Sequence, residues 1–582
     1  MPAARLVLVT VALLATLVAS APAQNPAAPA TPKGLHGFLL RPNEPVTHTF
    51  SRTPAFAWAP VRGAACYEFE LATSRSFEES AMVWSNVSTD AQSGKHCRPV
   101  KVTFRKAADG SSEDGDGGES GSSGSESEQV KMTVAPIKIP AVSLNLVLPW
   151  FTGKPYALYA HVRAVTSRGA SSWGKPFGFN MRWEDTPIPL VGKPGLVRWT
   201  PVEGATSYDV WYSDDFINKV VRTHTNVADQ RDLYTFHLEE GWWRTVNWRV
   251  RAVRQVVGSL PNGLPAVSYG PWTGVYSTTN PGWSSGPLRV GFAVSDRVSS
   301  GNQAGAHQLM PGLTFTGDRG LDGREYRLFR VYAATDRDCV NVVFKGSVVG
   351  GPAFAPRISG PLELPGTQDE LDRALVSVVP SGESEKAKTF TLDTYPIVSN
   401  EVILDEARAR VDLPDLDAKT TRYYWTVVPV GIRIDDNGAF TYWDVEVPQD
   451  ACQAGRVATF GKQSLPAITT SGSPFVSGLS PTGRFLAQAG GRPVVYSAPL
   501  VAWRPVVGAT QYEVQWSRVK YPWRKRGGMK TFATSAVLRM APGVWYYRIR
   551  GLNGAQVGTP AMTWSTPIAV KIARPTFQIS RG

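Results

Sequence analysis

Three stretches of the chain share one pattern: residues 58–67 read WAPVRGAACY, residues 199–208 read WTPVEGATSY, and residues 503–512 read WRPVVGATQY. The common form is W-x-P-V-x-G-A-x-x-Y, and an acidic residue follows each Tyr. Six identities at fixed spacing, found three times, indicate internal duplication of one structural unit.

The residue types in this pattern are typical of a strand, a turn and a second strand. The Trp fills a core with its large apolar area, and Pro and Gly end the strand and turn the chain. The Tyr opens a strand of period two, so that Tyr208 and Val210 face inward while Asp209 and Trp211 face outward. We therefore predict that the core of the repeat contains Trp58, Tyr67, Trp199, Tyr208, Trp503 and Tyr512.

A second block follows each repeat and alternates apolar with basic residues. It reads YALYAHVRAV at 156–165, VNWRVRAV at 246–253 and WYYRIRGL at 545–552. A Gly-containing loop and another strand around Trp173, Trp272 or Trp564 come next. Each unit thus predicts several short, turn-bounded antiparallel strands.

The Trp strand, the Tyr strand and the late aromatic-x-V-R-A strand resemble the B, C and F strands of fibronectin type III domains. The resemblance covers most of residues 34–575, and the chain resembles bacterial secreted proteins with fibronectin type III-like repeat domains. It implies an all-β fold of tandem fibronectin type III-like (immunoglobulin-like) β-sandwich modules. It does not imply a function, because such modules serve as adhesive units, spacers and enzyme accessories.

The third unit departs from the repeat. Phe315 stands near the Trp position and Tyr326 near the Tyr position, but eleven residues separate them instead of nine. A late strand at 423–428 and a hairpin signal at 436–438 follow, the latter leading to Trp443. We interpret this unit as a degenerate module that carries an insertion.

The pattern divides the chain into six segments. They are a signal peptide (1–23), a linker (24–33), module 1 (34–185) with a disordered acidic insert (108–128), module 2 (186–285), degenerate module 3 (286–465) with an insertion of about 345–410, and module 4 (466–582).

The N-terminus and the cysteines predict export. Arg5 precedes an apolar run from Leu6 to Val18, and residues 21–23 offer a small-x-small cleavage site. No later stretch is apolar enough to span a bilayer. The four cysteines allow three disulfide connectivities, and locality favours Cys66 with Cys97 and Cys339 with Cys452.

Composition narrows the class of partner. The net charge is +13, although residues 109–128 contribute seven acidic residues and no basic ones. Outside a cell, a surface this basic favours anionic polymers such as those of a cell wall, and export makes nucleic acid a poor candidate. A polysaccharide or another surface protein is an alternative partner.

Candidate binding residues are aromatic side chains beside cations. Trp211 lies on the outward register of its strand, and the basic loop KYPWRKR at 520–526 contains Trp523, Arg524, Lys525 and Arg526. Exposed rings beside cations can stack on sugars or hold anionic polymers. The alternative is that these rings pack between modules or cover sheet edges.

Sequence motifs of known catalytic centres are not found. The chain contains no nucleophile elbow, zinc-protease helix, P-loop or dinucleotide fingerprint, and its seven histidines are scattered. We therefore expect no catalytic residues, no metal site and no cofactor.

Three functions remain in order of preference. The first is a structural or adhesive protein, secreted or bound to the cell envelope, whose modules form a rigid string. The second is a glycan-binding protein that uses exposed Trp and basic loops. The third is an extracellular hydrolase whose chemistry lies in the insertion of module 3.

Overall fold

The computed structural model is almost wholly β-structure, with a single six-residue α-helix among the described residues. The structure describes residues 29–41, 44–88, 96–105, 129–190, 197–213, 218–223, 245–256, 264–265, 267–279, 284–291, 297–298, 306–307, 311–350, 353–354, 413–416, 420–434, 436, 440–462, 488–489, 492–495, 498–506, 509–552 and 561–573. The predicted signal peptide, the acidic insert and most of the predicted insertion in module 3 lie outside these ranges.

Module 1 is a sandwich of two sheets with an added ribbon. Its strands are β1 (His36–Phe38), β2 (Thr49–Phe50), β3 (Ala55–Ala57), β4 (Cys66–Ala72), β5 (Met82–Ser85), β6 (Val100–Arg105), β7 (Gln129–Val134), β8 (Ala141–Ser143), β9 (Leu158–Thr166), β10 (Gly169–Ala170) and β11 (Phe177–Met181), with a 3-10 helix at Glu79–Ala81. One sheet has the order β1-β3-β8, the other has β2-β11-β9-β4-β5 with β10 beside β9, and β6 pairs with β7. The ribbon flanks the acidic insert.

Module 2 repeats this plan. Its strands are β12 (Pro189–Leu190), β13 (Arg198–Trp199), β14 (Ser207–Ser213), β15 (Asn218–Thr223), β16 (Thr245–Gln255), β17 (Val267–Tyr269) and β18 (Tyr276–Thr279). The larger sheet has the order β15-β14-β16-β17 with β18 also on β16, and β12 pairs with β13.

Module 3 is the largest unit and holds the helix. Its elements are β19 (Arg289–Val290), β20 (Arg297–Val298), β21 (Ala306–His307), β22 (Leu313–Thr316), β23 (Leu328–Ala334), β24 (Val342–Val349), β25 (Ala353–Phe354), β26 (Tyr423–Ile434), β27 (Phe440–Asp444), α1 (Pro448–Gln453) and β28 (Ala458–Lys462). The sheets are β19-β22-β25 and β20-β21-β28-β26-β23-β24, with β27 on β26.

Module 4 closes the chain. Its strands are β29 (Gln488–Ala489), β30 (Arg492–Val495), β31 (Leu500–Ala502), β32 (Gln511–Ser517), β33 (Lys525–Thr531), β34 (Ser535–Val537), β35 (Gly543–Leu552) and β36 (Ile568–Ile572). The larger sheet runs β29-β30-β36-β35-β32-β33, and β31 pairs with β34. The chain is therefore a tandem array of fibronectin type III-like β-sandwich modules.

The repeated motif has one geometry in modules 1, 2 and 4. The Trp is fully buried each time, and the Tyr ring meets it edge-on with centroids 5.2 to 5.4 Å apart. The Tyr hydroxyl accepts a hydrogen bond from the backbone N–H of the motif Val, as in Val61 to Tyr67 (2.9 Å), Val202 to Tyr208 (2.6 Å) and Val506 to Tyr512 (3.0 Å). The motif thus needs Tyr because its hydroxyl satisfies a buried donor.

Replacing Tyr208 by Phe isolates that bond. Tyr208 and the N–H of Val202 are buried, so the variant leaves a donor without its acceptor. We expect a loss of about 1 to 3 kcal/mol, seen as a lower calorimetric transition. Tyr276→Phe, at a 44% exposed ring, is the matched control. Equal transitions for the two variants would show that the hydroxyl does not stabilise the turn.

In module 3 the equivalent ring is Phe329, so the expectation for Tyr326 is wrong. Phe329 is the second residue of β23 and packs edge-on against Phe315 at 5.2 Å, as Tyr67 packs on Trp58. Residues inserted before β23 form a turn in which the Tyr326 hydroxyl donates to Asp322 (2.6 Å).

Both disulfides predicted from locality are present. Cys66 joins Cys97 within module 1, and Cys339 joins Cys452 within module 3. The second bond ties the β23–β24 turn to α1. No free cysteine occurs in the described residues, and none of their helices is long and apolar enough to cross a bilayer.

Modules 1 and 2 share a continuous core. One apolar cluster contains Phe69 and Trp150 of module 1 with Trp199 and Val250 of module 2. At this junction Gly204 has a φ of +86°, and a β-carbon there would lie 1.8 Å from the Ser51 carbonyl oxygen. The glycine of the repeat is therefore also a point of close approach between the modules.

Module 4 packs back onto module 1, so the expectation of a string of modules is wrong. The Ser143 hydroxyl donates to the Ser535 carbonyl (2.8 Å), and the Phe532 N–H donates to the Asn145 side chain (2.7 Å). Leu500 joins a buried cluster with Phe38 of module 1. The outer faces of two small sheets meet here, because small residues on both allow close approach.

Two buried arginines hold the junctions between modules 1, 2 and 4. Arg52 donates to the Glu203 carboxylate (2.9 Å), the Trp503 carbonyl (3.3 Å) and the Thr534 hydroxyl, and so joins modules 1, 2 and 4. Burial lowers the pKa of Arg52, and the Glu203 carboxylate opposes that effect.

Arg254, from module 2, donates to the Leu148 carbonyl of module 1 (2.6 Å). Burial, with the nearby Arg52 charge, lowers the pKa of Arg254 to about 9. The Arg254 guanidinium therefore remains charged at neutral pH, and carbonyl and carboxylate oxygens accept most of the hydrogen bonds that the two arginines donate.

Candidate functional site

A ladder of rings and cations covers the outer face of the large sheet in modules 1, 2 and 4. Its cations are the basic residues that alternate along the late strand of each unit. Each stacks on an aromatic ring, and the carboxylate on the neighbouring strand lies directly opposite its partner cation. This arrangement explains the alternation of apolar and basic residues.

In module 1 the ladder is built around His161. The imidazole lies between the rings of Phe77 (3.5 Å) and Trp173 (3.8 Å), both nearly parallel to it. Arg163 covers Trp173 (4.5 Å) and donates to Glu68 (2.6 Å). The histidine is thus part of the packing.

In module 2 an arginine takes the place of that histidine. Arg249 lies 5.2 Å from the centroids of both Trp211 and Trp272. Arg251 lies over Trp272 (4.6 Å) and pairs with Asp209 (2.9 Å). Burial lowers the pKa of Arg249 to about 10, and the like charge of Arg251 adds to this.

Module 4 repeats the ladder. Arg548 lies between Trp523 (4.3 Å) and Trp564 (4.1 Å), and Arg550 covers Trp564 (4.3 Å). Arg550 also pairs with Glu513 (2.6 Å). Partial burial pushes the pKa of Glu513 up, but hydrogen bonds from Gln515 and Arg550 outweigh this and leave it below the ordinary value.

Module 3 covers the same face in another way. Its helix α1 packs on β26 and the adjacent β23, where Ala451 meets Val428 of β26 and Tyr332 of β23. Beside the helix, the buried Arg330 donates to Asp444 (2.6 Å). The module therefore replaces stacked cations with a disulfide-tied helix.

The predicted ligand-binding role of Trp211 receives no support from the geometry. Its side chain does point outward, yet only 8% of it is exposed, because Arg249 on the adjacent strand covers the ring. A sugar or polymer would have to displace that cation to reach it.

Trp523 has a similar structural role. Its ring is half-buried, stacks on Arg548, and donates its indole N–H to Gln515 (3.2 Å). The exposed ring of this loop is instead Tyr521, at 66%. Sequence reasoning missed Tyr521 because it ranked Trp above Tyr; its place at the tip of the β32–β33 hairpin was the available signal.

The cations of the hairpin are exposed. Arg524, Lys525 and Arg526 all face solvent, as do Lys520 and Lys530. Lys525 lies 3.9 Å from Glu513, whose carboxylate already pairs with Arg550. We call the segment 519–530 the basic hairpin; it carries a net positive surface around one exposed aromatic ring.

Alanine substitutions distinguish the roles of the Trp523 and Tyr521 rings in the hairpin. Trp523→Ala removes a stacking partner of Arg548, and we expect a loss of about 1 to 2 kcal/mol of stability. Tyr521→Ala should change stability by less than about 0.5 kcal/mol, since its ring is mostly in water. Thermal unfolding measures both. A larger effect at Tyr521 would contradict the ladder.

No group of three or more metal-ligating side chains occurs among the described residues. Most of the insertion proposed to hold hydrolase chemistry lies outside them. Most of the described ionisable groups with shifted pKa values belong to ladders, module junctions and turns, and Tyr332 in β23 is paired with Asp444.

Comparison with known proteins adds two structural similarities. No family model and no curated protein matches the chain. The FN1–FN3 domains of chicken CNTN1 are 10% identical over 72% of this chain and 99% of theirs, with a TM-score of 0.15. The selenomethionine-substituted chicken interferon gamma receptor alpha chain is 9% identical over 43% of this chain and 98% of its own, with a TM-score of 0.16. Scores this low imply nothing about function, and the fold class rests on the strand pairing.

Proposed function

We propose that this chain is an exported, non-catalytic binding protein of the cell envelope whose modules form a compact scaffold for the basic hairpin. The hairpin binds an anionic polymer by charge, with Tyr521 beside the cations. The apolar export segment and the two disulfides support placement outside the cell.

One observation carries the proposal. Five exposed cations lie within the basic hairpin, at positions 520, 524, 525, 526 and 530, and the hairpin contains no acidic residue. Positive charges concentrated on one hairpin attract polyanions over a distance of about one Debye length.

Glycan binding through Trp211 and Trp523 receives no support from the geometry, since both rings are stacked. A version that relies on Tyr521 predicts binding that tolerates salt. Charge-driven binding instead weakens as salt is added, so the salt dependence of binding distinguishes the two mechanisms.

The test is cosedimentation of the full chain with isolated cell wall, dextran sulfate gel and uncharged cellulose. We expect retention on the first two at about 0.1 M salt and release towards about 1 M, as the Debye length falls from about 10 Å to about 3 Å. Retention on cellulose at high salt would favour the glycan alternative, and absence of binding to all three would refute both.

A charge-matched pair of variants locates the site. Replacing Arg524, Lys525 and Arg526 by Gln should weaken binding to dextran sulfate by about tenfold, for roughly 0.5 kcal/mol per exposed contact. The control replaces Arg75, Arg168 and Lys175, three exposed cations of module 1, and changes the net charge equally. Equal weakening would show that total charge, not the hairpin, determines binding.

A further inference from the structure

Strand β33 forms one edge of the large sheet of module 4. It pairs with β32, and no strand among the described residues pairs with its other side. Its side chains are mostly exposed up to Met529, which is half-buried, and Thr531 is buried at the end. An unpaired edge presents a row of backbone N–H and C=O groups.

The far end of this edge is already occupied. The N–H of Phe532, one residue past the strand, donates to the Asn145 side chain of module 1 (2.7 Å). The accessible part of the edge is therefore the rest of the strand, from Lys525 to Lys530.

The middle of the edge carries no side chains. Gly527 lies under the Trp516 ring, where a β-carbon would come within 2.5 Å, so its inner side is filled. Gly528 beside it is exposed. Glycine inside a strand often marks a place where another backbone approaches closely.

The charge on this edge has one sign. Lys525, Arg526 and Lys530 are exposed, and β33 has no acidic residue. A second copy of β33 would therefore be repelled, and lysine on an edge strand is a known protection against self-pairing. An extended segment rich in Asp or Glu, in contrast, would place carboxylates beside these cations.

We propose that β33 binds an extended acidic peptide segment of a partner protein as an added β-strand. Backbone hydrogen bonds along 525–530 would supply affinity, and the three cations would select acidic side chains. The inference rests on the proposed function in placing an anionic partner at the basic hairpin, but adds that the backbone takes part.

The test uses the full chain and two capped, fluorescent ten-residue peptides of alternating Thr and Glu. One is unmodified; the other is N-methylated at every central residue, which keeps the charge and removes the backbone donors. We expect the unmodified peptide to bind at least about tenfold more tightly, a ratio consistent with a few net backbone hydrogen bonds. Amide exchange at 525–530 should slow when it binds.

Each other outcome has a definite meaning. Equal binding of the two peptides, absence of binding, or unchanged exchange at 525–530 would overturn strand addition and reduce the cations to edge protection. Dextran sulfate binding by the same preparation would then still stand. Peptide binding without binding to dextran sulfate or cell wall would instead overturn the proposed function.

Discussion

Replacing Gly204 by alanine is expected to lower the stability of the module 1–module 2 unit by about 2 to 5 kcal/mol. A non-glycine residue at a φ of +86° costs about 1 to 2 kcal/mol by itself. The new β-carbon would also lie 1.8 Å from the Ser51 carbonyl oxygen, so the two backbones must move apart. Overpacking of this kind adds about 1 to 3 kcal/mol.

The chain provides a matched control at the same position of the repeat. Gly63 in module 1 has a φ of +77°, and a β-carbon there would meet no atom within 4 Å. Gly63→Ala should therefore show the backbone strain alone, about 1 to 2 kcal/mol. Scanning calorimetry compares the two variants, and equal shifts would contradict the close approach at Gly204.

Replacing Arg52 by methionine is expected to release module 4 from module 1. The substitution keeps much of the apolar stem but removes every donor to Glu203, Trp503 and Thr534. Glu203 is about a third exposed and keeps Arg41 as a partner, so the main cost is the loss of the donor to the Trp503 carbonyl and the Thr534 hydroxyl, about 1 to 3 kcal/mol. Small-angle scattering should show a larger radius of gyration, and calorimetry should show an earlier transition.

Arg41 supplies the control for this effect. It also pairs with Glu203, but about a third of its side chain is exposed and its other carboxylate, Glu184, lies at the surface. Arg41→Met should cost less than about 1 kcal/mol and leave the radius of gyration unchanged. Expansion in both variants would show that Glu203, rather than the bridge to module 4, holds the junction.

The sequence predicted the modules well because their determinants are local. The Trp, the turn and the Tyr strand lie within ten residues, so their spacing carries the geometry directly. The same spacing gave the wrong residue in module 3, where Phe329 and not Tyr326 takes the Tyr position. An inserted turn shifts the start of the strand there, and the alternation of residues does not reveal the shift. The disulfide pairing was predictable for another reason: each pair of cysteines lies within one module, although the separations are 31 and 113 residues.

The site was harder to predict because facing outward is not the same as being exposed. The register of Trp211 was assigned correctly, yet its accessibility depends on Arg249 across the ladder, 38 residues further along the chain. The sequence shows both the alternation of basic with apolar residues in the late strands and the Trp that follows each glycine-containing loop. Only the pairing of the strands in the structure shows that these basic side chains stack on these Trp rings.

The contacts of Arg52 also bear on how the chain reaches its native state. The partners of Arg52, Trp503 and Thr534, lie 451 and 482 positions further along the chain. Contacts between residues this far apart in sequence form late in folding, because the long intervening chain must first be brought together. During synthesis, module 1 is complete before module 4 has been made. Its apolar outer face is therefore exposed to solvent until module 4 leaves the ribosome and covers it. Chains that stop before residue 500 should aggregate although three of the four modules are intact.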